Sequence, residues 1–266
     1  MKITSRNVNG IRAVLGKWFA ERIKSDNSDI YCFQETKAFE HQMPDDLKYI
    51  FADYDYCRHA GTRAGYAGTA IFWRRSVVSD VVSCNTFIDN SMFYEDGRVT
   101  EINFSKDGID YTLLNWYFPN GGTRADGTEM LTYKLKFYDC LIEYVQYKHA
   151  SGRKVIVVGD YNVCHTEIDI ARPKENQTSI GFLPVERDKV SQYLASNNMV
   201  DVFRHFHPDK KDEYTWRSYR AWARPNNVWR RIDYATVSRD LIDQVTWFIH
   251  QTDVTGSDHC PVTVIL

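Results

Sequence analysis

The chain has 266 residues, of which 43% are hydrophobic and 26% charged, and its formal net charge is −2 at pH 7. This composition is typical of an ordinary globular protein with enough apolar material for a core, and no apolar run approaches the roughly 20 residues that a membrane-spanning helix needs. The near-neutral charge does not exclude a nucleic-acid partner, because such a surface would be local. No signal-type segment opens the chain, so we expect a cytosolic protein.

The first part of the chain predicts two strands with helices between and after them. A strand at Lys2–Asn7 leads into a helix that carries Ile11, Leu15, Phe19 and Ile23 on one face. A second strand at 29–34 precedes an amphipathic segment at 44–51. Residues 54–118 then read as a run of strands, and a long helix follows at about 128–149 with Leu131, Leu135, Tyr138, Ile142 and Val145 in phase.

The second part begins with KVIVVGDYN, a continuous apolar strand of the kind that is buried on both faces. A helix near 184–197 and short strands follow, the last at 261–266. The alternation in 228–234 predicts one strand, with Ile232 and Tyr234 on one face and Asp233 on the other. Without repeats or linkers, the pattern predicts a single domain at 1–266 with an α/β sandwich fold.

Six cysteines are scattered along the chain without CxxC or zinc-finger spacing, at 32, 57, 84, 140, 164 and 260. Several lie inside apolar runs, as Cys32 does. This pattern favours buried free thiols in a reducing compartment.

Four predicted strands end in acids or carboxamides. These ends carry Asn7 and Asn9, Glu35, Asp160 and Asn162, and Asp258 with His259. Each end alone is also compatible with a turn or a helix cap. Together they offer the oxygen ligands that a hard divalent cation requires, and the absence of cysteine from the set favours magnesium or manganese over zinc.

His259 adds acid–base capacity to this group. Asp233 is a carboxylate that could orient the imidazole, and an imidazole so held can bind or protonate an anionic oxygen. The alternative is a loop histidine without a catalytic role.

The segment 216–231 combines cations with aromatic rings. It contains Arg217, Arg220, Arg224, Arg230 and Arg231 and no acid, interleaved with Trp216, Tyr219, Trp222 and Trp229. This mixture suits a nucleic-acid backbone and a displaced base or sugar. A solvated basic face with tryptophans in the core is the alternative interpretation.

Seven motifs in order along the chain resemble the exonuclease III-type AP endonucleases, within the endonuclease, exonuclease and phosphatase superfamily that includes DNase I. They are NVNGIRA (7–13), FQETK (33–37), NWYFPNGG (115–122), GDYNVCHTEID (159–169), GFLPVER (181–187), RRIDY (230–234) and GSDHCPV (256–262). The GDxN and SDH motifs indicate the superfamily, whereas ARPKENxxxxGFLPVER is typical of its DNA-repair branch.

The resemblance implies a four-layer α/β sandwich, two mixed β-sheets flanked by helices. It implies metal-dependent incision 5′ to abasic sites, with 3′→5′ exonuclease and 3′ phosphatase or phosphodiesterase activities. The implied cofactor is Mg²⁺, with Mn²⁺ possible, and the implied partner is double-stranded DNA with abasic or 3′-blocked sites, bound by a monomer with no membrane partner.

The resemblance also assigns site residues. The implied metal ligands are Asn7, Glu35, Asp160, Asn162, Asp258 and His259. Asp160 and Asn162 would orient or deprotonate the attacking water, Tyr117 would hold the scissile phosphate, and Asp233 would orient His259. Asp169 would lie near the leaving group and assist protonation of the departing 3′ oxygen. The implied DNA contacts are Asn9, Lys37, Arg63, Tyr66, Asn120, Arg172, Lys174, Asn176, Arg217, Arg220, Arg224 and Arg230, and the abasic pocket would be walled by Trp216, Trp229 and Ile232.

Three positions depart from the family, since Arg6, Arg217 and Arg230 stand where an aromatic residue is usual. A buried unpaired guanidinium is costly, so we expect the Arg230 head to reach a phosphate or a carboxylate. We therefore hypothesise that added phosphate contacts partly replace stacking, which predicts salt-sensitive activity.

Two other functions are compatible with parts of the sequence. One is a phosphatase or phosphodiesterase of the same superfamily that acts on small phosphate esters, against which the arginine-aromatic segment argues. The other is a catalytically silent nucleic-acid-binding protein, against which the full set of candidate ligands and acid–base residues argues.

Overall fold

The structure, a computed structural model, describes residues 1–15, 17–78, 80–86, 91–217 and 229–266. Its strands are β1 Lys2–Asn7, β2 Ile30–Gln34, β3 Tyr54–His59, β4 Thr69–Arg74, β5 Asp80–Asn85, β6 Val99–Lys106, β7 Ile109–Tyr117, β8 Lys154–Asp160, β9 Met199–Asp201, β10 Trp216–Arg217, β11 Trp229–Arg230, β12 Asp233–Ser238, β13 Trp247–His250 and β14 Val262–Ile265. Its α-helices are α1 Ile11–Val14, α2 Lys17–Asp26, α3 Asp46–Ile50, α4 Ser91–Tyr94, α5 Leu131–Ala150, α6 Pro184–Ser196 and α7 Val202–Phe206. Short 3₁₀ turns lie at Glu40–Gln42, Glu167–Asp169 and Arg239–Gln244.

The described strands form two mixed sheets and a small ribbon. The first sheet has the order β13-β14-β1-β2-β4-β3, the second has the order β5-β6-β7-β8-β12-β9, and β10 pairs with β11. The pairs β1–β2 and β7–β8 are parallel, and the other pairs are antiparallel. The predicted two-sheet α/β sandwich is confirmed.

Strand β8 shows why the layers stack. Ile156 and Val158 pack into the cluster between the two sheets, whereas Val155 and Val157 pack outward against residues of α5. All four side chains are buried, as a continuous apolar run predicts for a strand covered on both faces. On the far side of the first sheet, α1, α2 and α3 cover a cluster that includes Phe33 and Phe72.

Two predicted elements are each divided in the structure. The helix expected from Ile11 to Ile23 is two helices, α1 and α2. The strand expected at 228–234 is β11 in the ribbon and β12 in the second sheet, and Val228 lies outside the described residues. The break falls at Arg231 and Ile232, between the end of β11 and the start of β12. The guanidinium of Arg231 is fully buried and donates hydrogen bonds to Asp169 and Asp201.

One cysteine pair corrects the expectation of free thiols. Cys57 on β3 and Cys84 on β5 form a disulfide with a Cα–Cα distance of 5.9 Å. Both strands lie at the edges of their sheets, so the bond joins the two sheets covalently. Cys32, Cys164 and Cys260 are buried thiols, as predicted.

No helix within the described part of the chain is long and apolar enough to cross a membrane.

Asp169 lies in a buried ionic network, which argues against its predicted assistance to the leaving group. Its side chain is fully buried, and Oδ1 accepts hydrogen bonds from Nε of Arg231 at 2.7 Å and from Nε of Arg204 at 3.1 Å. Oδ2 accepts from the backbone N–H and the hydroxyl of Thr166, both at 2.9 Å. Burial raises the pKa of Asp169, but the two guanidinium groups more than offset it and hold the pKa well below its usual range. A carboxylate so occupied has no proton to donate.

We predict that Asp169→Asn lowers the free energy of unfolding at pH 7 by about 3 kcal/mol, because Arg231 stays buried beside a neutral group. The pKa of Asp169 is depressed in the folded state, so its contribution is full above the unfolded pKa of about 3.9 and is lost as the pH falls. The wild-type advantage should therefore begin to shrink below about pH 5 in urea titrations. Asp243→Asn, at an exposed site, is the control. A D169N deficit no larger than that of the control would contradict the assignment.

Candidate active site

Three predicted site residues form a row across the second sheet. Asp160 at the end of β8 is paired with Tyr117 at the end of β7 and with Asp233 at the start of β12. Side chains of directly opposed residues lie on the same face of a sheet, a few ångströms apart. The register therefore brings the two carboxylates together.

The first sheet supplies the facing half of the site. Asn7 ends β1 opposite Gln34 at the end of β2, and Glu35 is the next residue. Asp258 and His259 lie just before β14, which runs antiparallel to β1. All of these strand ends thus meet at one edge of the sandwich.

A buried amide pair fixes the two sheets to each other beneath the site. Nε2 of Gln34 donates to Oδ1 of Asn115 at 2.7 Å and to Oγ of Ser5 at 2.9 Å. Nδ2 of Asn115 donates to the carbonyls of Phe33 and Ala70 at 3.0 and 2.9 Å. The relative position of the two halves is therefore set by hydrogen bonds as well as by packing.

The His259 imidazole lies between the two carboxylates. Nδ1 is 2.8 Å from Oδ2 of Asp233, and Nε2 is 3.9 Å from Oδ2 of Asp160. The backbone N–H of Asp233 donates to Oγ1 of Thr215 at 3.1 Å, which fixes the start of β12. Asp233 is thus placed where it can orient the ring.

These groups change one another's acidity. Burial raises the pKa of Asp160 to about 7; the positive His259 opposes this, and the negative Asp233 and Glu35 add to it. Burial lowers the pKa of His259, but Asp233 outweighs it and raises the pKa to about 10. The imidazole is therefore a cation at neutral pH, held between two acids.

Amide groups connect Asp160 to Glu35. Nδ2 of Asn7 donates to Oε1 of Glu35 at 2.8 Å and to Oδ2 of Asp160 at 3.0 Å. The backbone N–H of Asn162 donates to Oδ1 of Asp160 at 2.8 Å, and Nδ2 of Asn120 donates to Oδ1 of Asn162 at 3.3 Å. Four of the predicted ligands, Asn7, Glu35, Asp160 and Asn162, are therefore linked by hydrogen bonds.

A second set of contacts surrounds Asp258. Its Oδ1 accepts from Nδ2 of Asn9 at 3.0 Å and its Oδ2 from the indole N–H of Trp216 at 3.0 Å. The ammonium of Lys37 lies 2.5 Å from Oδ1 of Asn9 and 2.7 Å from Oε2 of Glu35. The Lys37 ammonium thus lies between the side chains of Glu35 and Asn9.

Four of these residues have a left-handed backbone. The φ angles are 47° at Asn9, 52° at Glu35, 51° at Lys37 and 53° at Asn162. Residues other than glycine rarely adopt this conformation, and it concentrates at functional sites. The turns after β1, β2 and β8 therefore have the unusual backbone conformation that is typical of functional sites.

The donor set fits a hard divalent cation. Asp160, Asp233 and His259 lie with their potential ligand atoms all within 4.8 Å of one another. Because the imidazole is a cation and has no free lone pair, the donors are the two carboxylates, with Glu35 and the Asn7 side chain beside them. Carboxylate and amide oxygens are the ligands that magnesium and manganese prefer. The negative charges of Asp233 and Glu35 help to raise the pKa of Asp160. A cation bound among the three carboxylates would reduce this repulsion.

Tyr117 lies between a carboxylate and a cation. Burial raises the pKa of its phenol well above the usual value, and Glu35 adds to the rise through its charge and a hydrogen bond, while Arg98 opposes it. The Arg98 guanidinium lies 4.8 Å from the centre of the ring. The phenol is therefore a neutral donor at physiological pH.

The β10–β11 ribbon places its aromatic residues on opposite faces, which corrects one predicted pocket wall. Trp216 is paired with Arg230, and Arg217 with Trp229, so alternate residues face opposite sides. Trp216 packs in the cluster that contains Ile232. Trp229 instead packs against Tyr214, with ring centres 6.0 Å apart, and its ring centre lies 5.0 Å from Cζ of Arg217. Trp229 therefore lies away from the cluster of Trp216 and Ile232, which argues against its predicted place in the abasic pocket.

The predicted outer DNA contacts lie on separate loops. Arg63 and Tyr66 are on the β3–β4 loop, where the guanidinium lies 5.0 Å from the ring centre. Arg172 and Lys174 are exposed, and Asn176 donates to the carbonyls of Ala171 and Arg172. Arg220 and Arg224, with Tyr219 and Trp222, lie outside the described residues.

A family model described as the Endonuclease/Exonuclease/phosphatase family matches residues 7–259. The chain belongs to this family. Its curated relatives include an exodeoxyribonuclease of Bacillus subtilis, 36% identical over 100% of this chain and 99% of the relative. A DNA-(apurinic or apyrimidinic site) endonuclease of Dictyostelium discoideum is also 36% identical, over 100% of this chain and 70% of the relative.

Solved structures agree with these relatives. The AP endonuclease LMAP of Leishmania major superposes with a TM-score of 0.85 at 27% identity, covering 99% of this chain and 86% of that one. The 3′ phosphatase NExo from Neisseria, solved with a product DNA hairpin, superposes with a TM-score of 0.83 at 25% identity, covering 100% and 99%. The resemblance drawn from the sequence is thereby confirmed.

Arg6 and Arg230, which stand where the resemblance predicts aromatic residues, both donate hydrogen bonds to backbone carbonyls. Arg6 is buried, and its guanidinium donates to the carbonyls of His259 at 3.3 Å and Thr255 at 2.8 Å. Nη1 of Arg230 donates to the carbonyl of Ile180 at 2.7 Å, and a Cβ on Gly181 would lie 2.8 Å from that nitrogen. Nη1 of Arg230 therefore bonds a backbone carbonyl, and Gly181 leaves room for it. The expected contact of Arg230 with a phosphate stays a prediction.

Sequence reasoning missed a buried ion pair that supports the loops containing Asn120, Asn162 and Gly181. Nζ of Lys134 donates to Oε1 of Glu186 at 2.6 Å and to the carbonyls of Asn120 and Asn162 at 3.0 and 2.8 Å. Oε2 of Glu186 accepts from the N–H of Gly181 at 2.7 Å. Glu186 stands within GFLPVER, so the motif contained the signal, but nothing in the sequence linked it to Lys134.

We predict that Lys134→Met lowers the free energy of unfolding by about 4 kcal/mol, because Glu186 keeps a buried charge without its partner. The double variant Lys134→Met/Glu186→Gln should recover at least half of this loss in urea titrations, since it removes both charges and keeps an acceptor for the Gly181 N–H. A double variant no more stable than K134M would show that the ion pair is not the source of the effect.

Proposed function

We propose that this chain is a metal-dependent DNA-repair nuclease that hydrolyses the phosphodiester bond 5′ to abasic sites. The same site would also remove nucleotides and blocking phosphates from 3′ ends. The observation that carries the proposal is the His259 imidazole held between Asp233 and Asp160, with Glu35 joined to Asp160 through Asn7. The named activities of the relatives support it.

The chain's own residues supply a base and two donors. Asp160, whose pKa burial raises toward neutrality, accepts a proton from the attacking water, which Asn162 helps to orient. The His259 cation directs Nε2 at a phosphate oxygen, while Asp233 holds the opposite nitrogen. Tyr117 donates its phenolic hydrogen to the same phosphate.

Mg²⁺, or Mn²⁺ in its place, would be held by Glu35, Asn7 and neighbouring oxygens, and would neutralise charge that develops on the phosphate. Its removal should therefore abolish hydrolysis without unfolding the protein.

Duplex DNA would lie across the strand ends. Asn9, Lys37 and Asn120 are joined to the site by hydrogen bonds, and Arg63, Tyr66, Arg172 and Lys174 extend the surface to either side. Trp216 and Ile232 would wall the space for an extrahelical abasic sugar. We propose that the protein acts as a monomer.

We predict that purified protein with Mg²⁺ cuts a duplex carrying an abasic-site analogue, and that Asp160→Asn lowers the rate by at least 100-fold because the base is lost. EDTA should stop the reaction, and added Mg²⁺ should restore it. Asp240→Asn, at an exposed ion pair with Lys154, is the matched control and should keep wild-type activity.

Two further duplexes separate the alternatives. An intact strand should not be cut, and a recessed 3′ end should be shortened more slowly than the abasic analogue is incised. Shortening of the 3′ end without incision would favour an exonuclease or 3′ phosphatase, and inertness toward all three duplexes would contradict the proposed function.

We also predict that Arg230→Trp flattens the salt dependence of incision. Arg230 is half-buried on the ribbon face that carries Trp216, and removing one interaction with a phosphate reduces the slope of log K against log salt by about 1. Affinity and rate would be measured from 50 to 200 mM KCl. Arg239→Trp, an equal change in charge at an exposed site at the C-terminal end of β12, is the control, and equal slopes for all three proteins would contradict the hypothesis.

A further inference from the structure

Arg98 is an arginine that the mechanism above does not use, yet only 2% of its surface is exposed. Burial of a guanidinium is costly unless its donors are matched. Its three nitrogens have different partners: Nε donates to Oδ2 of Asp96 at 2.8 Å, Nη1 to the carbonyl of Tyr117 at 3.2 Å, and Nη2 to the hydroxyl of Tyr66 at 2.5 Å. Every part of the group therefore has a defined contact.

Both tyrosines also present their rings to this cation. The guanidinium carbon lies 4.8 Å from the centre of the Tyr117 ring and 5.2 Å from that of Tyr66, within the range of cation–π attraction. The backbone N–H of Tyr117 donates to the carbonyl of Arg98 at 2.9 Å. Arg98 and Tyr117 are thus joined through backbone, side chain and ring.

The charge of Arg98 is balanced locally. Oδ2 of Asp96 also accepts from the hydroxyl of Tyr133 at 2.8 Å and lies 3.8 Å from Arg124. Arg124 donates in turn to the Tyr66 hydroxyl at 3.3 Å. Tyr66 therefore receives hydrogen bonds from two arginines, but of the two only Arg98 reaches Tyr117 in the contacts described.

These contacts form a short path between two regions of the molecule. Tyr66 is half-buried on the β3–β4 loop, next to exposed Arg63. Tyr117 stands at the end of β7 and faces Glu35. Arg98 is the group between them, in contact with both tyrosines.

We propose that Arg98 is a positioning residue that couples contact of DNA with the Tyr66 loop to the placement of the Tyr117 phenol. This inference rests on the proposed function, in which the loop touches the duplex and Tyr117 binds the scissile phosphate. With the loop seated on DNA, the guanidinium holds the ring against Glu35 and toward the phosphate. Without the three contacts of the Arg98 guanidinium, the duplex still binds, but the Tyr117 phenol is not directed toward the phosphate.

The test uses Arg98→Lys, which keeps the charge but cannot reach Asp96, Tyr66 and the Tyr117 carbonyl together. The expected result is a 10- to 100-fold lower single-turnover rate on a duplex with an abasic-site analogue, with a Kd for that duplex within threefold of wild type. Arg153→Lys is the matched control, since Arg153 donates to the carbonyl of Tyr111 at 3.0 Å, also on β7, and it should leave the rate unchanged.

The coupling itself is tested with Tyr66→Phe, which removes the acceptor hydroxyl and keeps the ring. Alone it should lower the single-turnover rate about fivefold, and in the Arg98→Lys background it should have no further effect, because the path is already broken. Because Y66F changes a half-buried loop residue, it also tests the path if R98K folds poorly, which thermal unfolding would reveal.

The outcomes separate this inference from the proposed function. Wild-type protein that fails to cut the duplex overturns both. An active wild type overturns only the role of Arg98 if R98K matches it in rate, if R98K weakens the Kd instead of the rate, or if the effects of R98K and Y66F simply multiply.

Discussion

Two carboxylates, Asp160 and Asp233, face each other across adjacent strands at buried positions, and the repulsion between them determines which groups must surround them. The antiparallel register of β8 and β12 makes this contact unavoidable. The His259 imidazole relieves it by lying between them as a cation. The Asn7 amide and the Asn162 backbone N–H satisfy the remaining oxygens. A site that already holds excess negative charge in fixed positions is prepared for both a metal ion and the changing charge of a phosphate.

The strand ends of the site could be predicted from the sequence because each is a local pattern. An apolar run that stops at Glu35 or Asp160 shows both the strand and its polar end. The choice of partners could not be predicted in this way. Asp169 looks like any acid in a motif, and only the arrival of Arg204 and Arg231 from distant parts of the chain makes it a structural anion. Trp229 likewise reads as a neighbour of Trp216 until the ribbon pairing places the two on opposite faces. The Cys57–Cys84 bond depends on which strands lie at the sheet edges, a property of the whole topology.

Arg6 and Arg230 stand at positions where the resemblance led us to expect an aromatic residue. Arg6 bonds to the carbonyls around His259, and Arg230 bonds to the carbonyl of Ile180. Stacking of an aromatic residue fixes a wall through shape, whereas a guanidinium fixes it through directed hydrogen bonds to backbone oxygen. The two solutions differ in their response to salt and to the charge of the substrate, although they can support the same loops.

The left-handed turns at Asn9, Glu35, Lys37 and Asn162 bear on the order in which the molecule forms. Each such residue costs roughly 1 kcal/mol in an isolated chain, so before the sheets meet these turns favour other conformations. The contacts that hold them, such as the Asn7 amide on Glu35 and the Lys134 ammonium on the Asn162 carbonyl, join segments far apart in sequence. We therefore expect the catalytic geometry to form only once these distant segments have come together, so that a partly folded chain would carry the right residues without the ability to cut DNA.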